Sequence, residues 1–193
     1  MRAWPSSPRC GPRAPAAFLD RDGTINLNRP GTYITRPAQL KLYTGAAKAL
    51  RLIAAKGYRL VVLTNQSAVA RGYMTLARSR EINLKLVREL KKAGVELDAV
   101  YFCPHGPDEG CACRKPRAGL IKEAARELSI DLRRSFVAGD KKSDLELART
   151  AGIKGRLVLT GEGRAVVPSP GAERYRDLPA LARALPDLSK EKI

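Results

Sequence analysis

Ala16-Ala17-Phe18-Leu19-Asp20-Arg21-Asp22-Gly23-Thr24 passes from four apolar residues straight into two aspartates one residue apart. A short apolar run that ends abruptly in charge is the pattern of a parallel strand covered on both faces, delivering carboxylates at its C-terminal end. Outward from it, strand and helix signals alternate. Gly45 to Lys56 carries Ala46, Ala49, Leu50 and Ile53 at helical spacing and stops at Gly57. Leu60-Val61-Val62-Leu63 is a second buried strand ending at Thr64-Asn65, and Thr75 to Ala93 a long helix with Ile82, Leu86, Val87 and Leu90 on its inner face. Ala99 to Cys103 is a third strand, and Leu120, Ile121, Ala124, Ala125 and Leu128 mark the next helix. Ser135 to Ala138 is a strand ending in Gly139-Asp140, after which Ser143 with Glu146 fits a capping box opening a short helix. Arg156 to Leu159 and Asp177 to Leu185 supply a last strand and a last helix. Such alternation predicts an α/β fold, a Rossmann-like parallel sheet with helices on both faces. In these sheets ligands bind beyond the carboxyl ends of the strands. Three of those ends carry Asp20/Asp22, Thr64/Asn65 and Asp140.

On an extended chain Asp20 and Asp22 project from the same side. Two unpaired carboxylates so close repel each other, and a divalent cation relieves that repulsion. Hard Mg²⁺ takes oxygen ligands and keeps several waters, and Asp140 is the third anionic contributor. A second constellation is Cys103-Pro104-His105 followed by Cys111-Ala112-Cys113. Three thiolates and one imidazole at this spacing match a closed, four-coordinate structural Zn²⁺ site, which would fold a loop poor in apolar residues just before Arg114-Lys115. Thiolate ligation implies a reducing compartment, so a cytoplasmic location is expected. Cys10 reads as an unpaired thiol.

Composition narrows the classes further. The chain has 193 residues, 44% hydrophobic, which suits one domain with a sizeable core rather than a disordered chain. We expect that domain to span 16–188, between a disordered basic tail, 1–15, with four prolines and no acid, and a short C-terminal tail, 189–193. No apolar run is long enough for a membrane helix or a signal-peptide core. The net charge of +17 concentrates anions of any kind, but the basic residues are spread through every segment rather than grouped in a tail. With aromatics at 5%, a stacking surface for single-stranded nucleic acid is poorly supplied. A phosphorylated small molecule is the expected partner, nucleic acid is the less favoured one, and a monomer is expected.

Asp20-Arg21-Asp22-Gly23-Thr24 resembles the Asp-x-Asp-x-Thr signature of the haloacid dehalogenase-like phosphatases. Their other signatures follow in order: Thr64, Lys115 in Arg114-Lys115-Pro116, and Gly139-Asp140-Lys141 with Asp144. The resemblance implies an uncapped phosphatase fold and catalytic roles for Asp20, Asp22, Thr64 and Lys115. Asp20 would be the nucleophile that forms an aspartyl-phosphate. Asp22 would be the general acid and base, protonated in the substrate complex with the help of the neighbouring negative charge. Mg²⁺ would be held by Asp20, Asp140 and the backbone carbonyl of Asp22. Asp144 would be either a support for that centre or a helix cap. Substrate contacts fall to Asn28, Asn65, Gln66, Ser67, Arg114 and Lys141. Within the family, the zinc loop resembles that of heptose bisphosphate and histidinol-phosphate phosphatases. Thr64 to Gly72 and Lys141 are closer to the former, while Ala68, Asn28 and the Arg29–Tyr33 run depart from it. The open site keeps a polynucleotide 3′-phosphatase as an alternative. A non-catalytic zinc-stabilised module would retain every catalytic side chain without use.

Overall fold

The computed structural model describes residues 2–4, 13–28, 31–168 and 171–190. Seven strands form one sheet: β1 (Arg2–Trp4), β2 (Ala16–Leu19), β3 (Arg59–Asn65), β4 (Ala99–Cys103), β5 (Phe136–Gly139), β6 (Lys154–Val158) and β7 (Glu173–Tyr175). Their order is β1-β4-β3-β2-β5-β6-β7. The six from β2 onward are mutually parallel, and β1 runs antiparallel along the outer edge of β4. Counted from β2, the parallel strands stand in the order 3-2-1-4-5-6 of a doubly wound sheet. The helices are α1 (Ala46–Ala55), α2 (Leu76–Lys92), α3 (Gly119–Glu127), α4 (Lys142–Thr150) and α5 (Leu178–Ala184).

The four apolar residues of β2 are all buried because both faces of the strand are covered. Ala17 and Leu19 pack with Leu50 and Ile53 of α1, Ile82 and Leu86 of α2 and Leu181 of α5. Ala16 and Phe18 face the other way, toward Leu120 and Ile121 of α3 and Leu147 of α4. Each Leu or Ile so buried contributes about 1.5–3 kcal/mol. Local signals set the helix ends. The Thr75 hydroxyl accepts the Arg78 N–H at 3.1 Å to start α2, and Lys91 and Lys92 lie in its last turn, where cations meet the negative end of the dipole. Asp177 caps α5 by accepting the Ala180 N–H at 2.8 Å.

Two expectations are corrected and one is extended. Part of the segment expected as a disordered tail is ordered: Arg2–Trp4 is a paired strand, and the Pro15 carbonyl accepts the Arg59 N–H at 2.8 Å. Cys10 lies outside the described residues. The expected parallel sheet is formed by β2 to β7, and the antiparallel β1 is added to it, shielding the β4 edge. Ser143 does not cap α4; it lies inside the helix, and Asp144 reaches back to accept the Lys141 N–H at 3.1 Å. The strand β7, short and half polar, carries no hydrophobic pattern and was not expected.

β2 and β5 are neighbours whose onward connections leave in opposite directions, β2 to β3 and β5 to β6. The crevice opens between their carboxyl ends. Asp20 and Asp140 are the first residues beyond those two ends.

Candidate active site

One cation stands among three carboxylates. The Lys115 ammonium, almost fully buried, donates to Asp20 Oδ1 at 2.7 Å, to Asp144 Oδ1 at 2.7 Å and to the Leu63 carbonyl at 3.0 Å. Burial opposes its charge, but Asp144 and Asp20 more than offset that and hold its pKa above the ordinary lysine value. Two further bonds fix its backbone: Asn65 Nδ2 donates to the Lys115 carbonyl and Asn65 Oδ1 accepts the Lys115 N–H, both at 3.1 Å. Asn65, expected to touch substrate, here acts as a clasp on Lys115.

Asp20, Asp140 and Asp144 bring carboxylate oxygens within 4.8 Å of one another. Burial, then the charge of Asp20, pushes the Asp140 carboxyl up to about 8. Burial, partly opposed by Lys115, raises Asp144 to about 6. A buried acidic group so strained fits a hard divalent cation with oxygen ligands. The backbone closes tightly around it. A Cβ on Gly23 or on Gly161 would collide with the Asp140 carboxylate, and one on Gly139 with Asp144. The loop after β6, which gave no sequence signal, completes the cradle. The Glu162 N–H donates to Asp140 Oδ2 at 2.9 Å, and the Thr160 hydroxyl donates to the Gly23 carbonyl at 2.6 Å. Asp144 has both expected roles, capping α4 and supporting Lys115.

Asp22 is held differently. Its carboxylate is not in the acidic cluster; it accepts from Arg21 Nε at 2.9 Å and Arg21 Nη2 at 2.6 Å, from Asn26 at 3.0 Å and from Gln66 at 3.1 Å. Burial pushes this carboxyl up, but the Arg21 charge and these hydrogen bonds together bring it below its ordinary value. With no substrate beside it, its nearest charge is that of Arg21, which favours the ionised form. Arg21 itself is fully buried and is anchored to Asn83 of α2 by Nη1 at 2.7 Å. Breaking a buried pair by removing one partner costs about 3–5 kcal/mol, so Arg21→Met should unfold correspondingly more easily in urea. A carboxyl lowered in the folded state adds stability that is complete above its unfolded pKa, near 3.8, and is lost as pH falls below it. The stability gap between wild type and Asp22→Asn should thus be full at pH 7 and smaller at pH 3. An equal gap at both pH values would contradict the pairing.

Thr64 is buried at the end of β3, and its hydroxyl oxygen accepts from Gln66 Nε2 at 2.8 Å. That leaves the Thr64 hydroxyl proton free to donate. Arg114 donates to the Ser67 hydroxyl at 2.6 Å and to the His105 carbonyl at 3.1 Å. The Lys141 ammonium lies 3.5 Å from Glu162; burial opposes its charge, but Asp20, Asp140 and Glu162 raise its pKa. Asn28 stands apart. It lines a cavity of about 510 Å³ with Leu27, Tyr33, Gln39 and Lys41, and none of the clustered carboxylates lines that cavity.

Cys103, His105, Cys111 and Cys113 converge as expected. Cys113 Sγ lies 3.2 Å from His105 Nδ1, 3.3 Å from Cys103 Sγ and 3.5 Å from Cys111 Sγ, and Cys103 and Cys111 are 3.6 Å apart. With zinc–sulfur bonds of about 2.3 Å, a tetrahedron has edges near 3.8 Å, whereas a disulfide is about 2.05 Å. The donor set and spacing fit one Zn²⁺, bound through His105 Nδ1. Burial pushes the Cys103 thiol up, a cost that a metal bound to its thiolate would remove.

These features have counterparts in known proteins. Residues 112–180 match the family model described as HAD-hydrolase-like. The chain is 44% identical over 142 residues, 73% of its length and 88% of the relative's, to a probable D-glycero-D-manno-heptose-1,7-bisphosphate 7-phosphatase of Thermoplasma acidophilum. It is 38% identical over 183 residues, 91% of its length and 94% of the relative's, to the D-glycero-beta-D-manno-heptose-1,7-bisphosphate 7-phosphatase of Photorhabdus laumondii. Its fold superposes with a TM-score of 0.79, at 37% identity and covering 87% of this chain and 96% of the other, on D,D-heptose 1,7-bisphosphate phosphatase from B. bronchiseptica, whose crystal structure holds magnesium and phosphate. On a sheet of this order and with relatives of this identity and coverage, the chain belongs to the haloacid dehalogenase-like hydrolases and is a phosphatase.

Proposed function

We propose that this phosphatase removes the C7 phosphate of D-glycero-D-manno-heptose 1,7-bisphosphate through an aspartyl-phosphate on Asp20. The observation that carries the chemistry is Asp20 at the carboxyl end of β2, one oxygen held by Lys115 within an acidic cluster fit for a cation. The names of the relatives support the leaving group.

Asp20, Asp140 and the Asp22 carbonyl would hold Mg²⁺, which would supply positive charge to screen the attacking carboxylate from the phosphate dianion. Lys115 adds to that screening, and the free Thr64 hydroxyl proton donates to the phosphoryl oxygens. Asp20 attacks phosphorus, and the phosphorus–oxygen bond to the sugar breaks. Asp22 gives its proton to the departing alkoxide and takes one from the water that cleaves the aspartyl-phosphate, which restores both residues. Arg21 keeps Asp22 ionised at rest, so Asp22 gains that proton when the substrate dianion arrives beside it. Arg114, Lys141, Gln66 and Ser67 contact the substrate, Asn28 lies on its rim, and Asn65 acts through Lys115. Zn²⁺ at the Cys103–Cys113 loop is structural. Thiolate ligands suit the reducing cytoplasm, and no helix among the described residues is long and apolar enough to cross a membrane. The chain works as a monomer with one phosphatase domain over 16–188.

The test compares kcat/KM for heptose 1,7-bisphosphate, histidinol phosphate and a 3′-phosphorylated oligonucleotide. A site that hydrogen-bonds its substrate's hydroxyls and second phosphate should favour the bisphosphate by about 10²-fold or more. Arg114→Lys should raise KM for the bisphosphate more than for an aryl phosphate, since lysine lacks the planar fork. Specific, salt-resistant hydrolysis of the oligonucleotide with the bisphosphate left intact would replace this reading.

A further inference from the structure

The site holds two lysines on different terms. Lys115 is locked: its side chain is 3% exposed and its ammonium makes three hydrogen bonds. Lys141 is fixed only by its backbone, at the start of α4. There Asp144, the carboxylate that also holds Lys115, accepts the Lys141 N–H at 3.1 Å. The Lys141 side chain is 35% exposed, and the one ion pair it makes among the described residues is with Glu162, at 3.5 Å.

Glu162 stands on a backbone that cannot drift. Its N–H donates to Asp140 Oδ2 at 2.9 Å. The two residues before it are tied as well, the Thr160 hydroxyl to the Gly23 carbonyl at 2.6 Å and the Gly161 N–H to the Tyr43 hydroxyl at 3.2 Å. A Cβ on Gly161 would collide with Asp140, and one on Gly163 with the Val158 carbonyl. None of these ties uses the Glu162 carboxylate, which is on a side chain 42% exposed. Nor is that carboxylate one of the group formed by Asp20, Asp140 and Asp144, whose oxygens lie within 4.8 Å of one another. Glu162 is therefore an acid pinned at the rim of an acidic cluster. A further negative charge there opposes the arrival of a phosphate dianion, and it is paired with a lysine that could receive one.

An exposed ion pair of this kind adds little to stability, so its consequence falls on binding. A phosphoryl oxygen takes Lys141 only by displacing the Glu162 carboxylate, and then lies near a negative charge that has lost its partner. We propose that Glu162 is the resting counter-ion of Lys141 and competes with the phosphoryl group for it, which limits how tightly the site holds both substrate and released phosphate. The proposal rests on the reading above that Lys141 contacts the substrate. Substrate and inorganic phosphate share the phosphoryl group, so the competition weakens both alike. An interaction lost equally from bound substrate and transition state raises KM and leaves the chemical step as it was. The benefit is freedom from product: as phosphate departs, the carboxylate reclaims the lysine.

The test follows inorganic phosphate on protein loaded with Mg²⁺ and Zn²⁺, as an inhibitor of p-nitrophenyl phosphate hydrolysis and by calorimetric titration. Glu162→Gln should lower the Ki and Kd of phosphate, and the KM of the ester, by about two- to fivefold, the range that an exposed ion pair allows. Its kcat should not rise. Lys141→Met should weaken phosphate binding, and adding Glu162→Gln to it should regain far less than the same change does in the wild type, the shortfall being the coupling between the two residues. Glu146→Gln, which breaks a pair of the same 3.5 Å length with Lys142 on α4, should leave phosphate affinity at the wild-type value. Phosphate affinity that is unchanged or weaker in Glu162→Gln overturns the proposal. So does an equal gain with and without Lys141, which would mean charge removal alone. A higher Mg²⁺ requirement in Glu162→Gln would give this carboxylate to the cation instead. Lys141→Met protein that binds phosphate as tightly as wild type would remove the substrate contact itself, and the proposal with it.

Discussion

Asp20→Asn is expected to lose at least about 10⁴-fold in kcat while unfolding at nearly the wild-type temperature. Loss of a catalytic nucleophile has effects of this order, because what remains is binding and electrostatic stabilisation without the covalent route. The fold should survive, since an amide oxygen can still accept the Lys115 hydrogen bond now made by Asp20 Oδ1 at 2.7 Å. The amide also removes one negative charge from a crowded buried cluster. Stopped assays with purified variant, set against its melting curve, check both halves of the expectation. Substantial turnover by folded Asp20→Asn protein would remove Asp20 as nucleophile and the aspartyl-phosphate with it.

Cys111→Ser, or removal of zinc from the wild type, should act on stability first and on catalysis second. Structural zinc sites in small motifs contribute an apparent 10–16 kcal/mol. Here much of the fold has cores of its own, so losing one ligand should cost about 3–5 kcal/mol and lower Tm by about 10 °C. The catalytic effect follows from what the loop holds. Arg114 donates to the His105 carbonyl, so its guanidinium loses an anchor when the loop loosens. Lys115 keeps the clasp of Asn65 and its bond to the Leu63 carbonyl, so activity should fall but not vanish. Elemental analysis, chelator-dependent melting and kcat on one preparation separate these effects. Well-folded protein with no zinc and no response to chelator would end the structural-zinc reading.

What could be read from the residues was whatever a residue type announces by itself. Ala99–Cys103 is legible because five apolar residues lie between Asp98 and Pro104, and the strand has those bounds. The zinc loop is legible because cysteine and histidine at that spacing serve few other ends. Glu173–Tyr175 is a short polar edge strand and announces nothing. Arg2–Trp4 lies among prolines, and its pairing depends on an exposed edge of β4 that only the assembled sheet offers. In the site, Thr160 to Glu162 went unseen because part of their work is done by backbone: the N–H of Glu162 reaches Asp140 and the N–H of Gly161 reaches the Tyr43 hydroxyl at 3.2 Å. Arg21 lies between two aspartates and invites reading as a solvated spacer. Its role depends on Asn83, 62 residues away on α2.

The placement of the acidic cluster on the ends of β2 and β5 has an evolutionary consequence. Asp20 and Asp140, which we propose carry the nucleophile and the cation site, follow directly on strands whose side chains are locked into two cores, and glycines pack closely against Asp140. Residues expected to recognise the leaving group stand on connecting segments: Asn28 between β2 and α1, Gln66 and Ser67 between β3 and α2, and Arg114 beyond the cysteine loop. Connections tolerate substitution and insertion far better than the strands they join. A lineage can therefore exchange one phosphorylated alcohol for another by rewriting those segments while inheriting the chemistry unchanged. Selection for a new substrate in the laboratory should collect its mutations in residues 24–44, 66–73 and 104–114 and leave the strand ends alone.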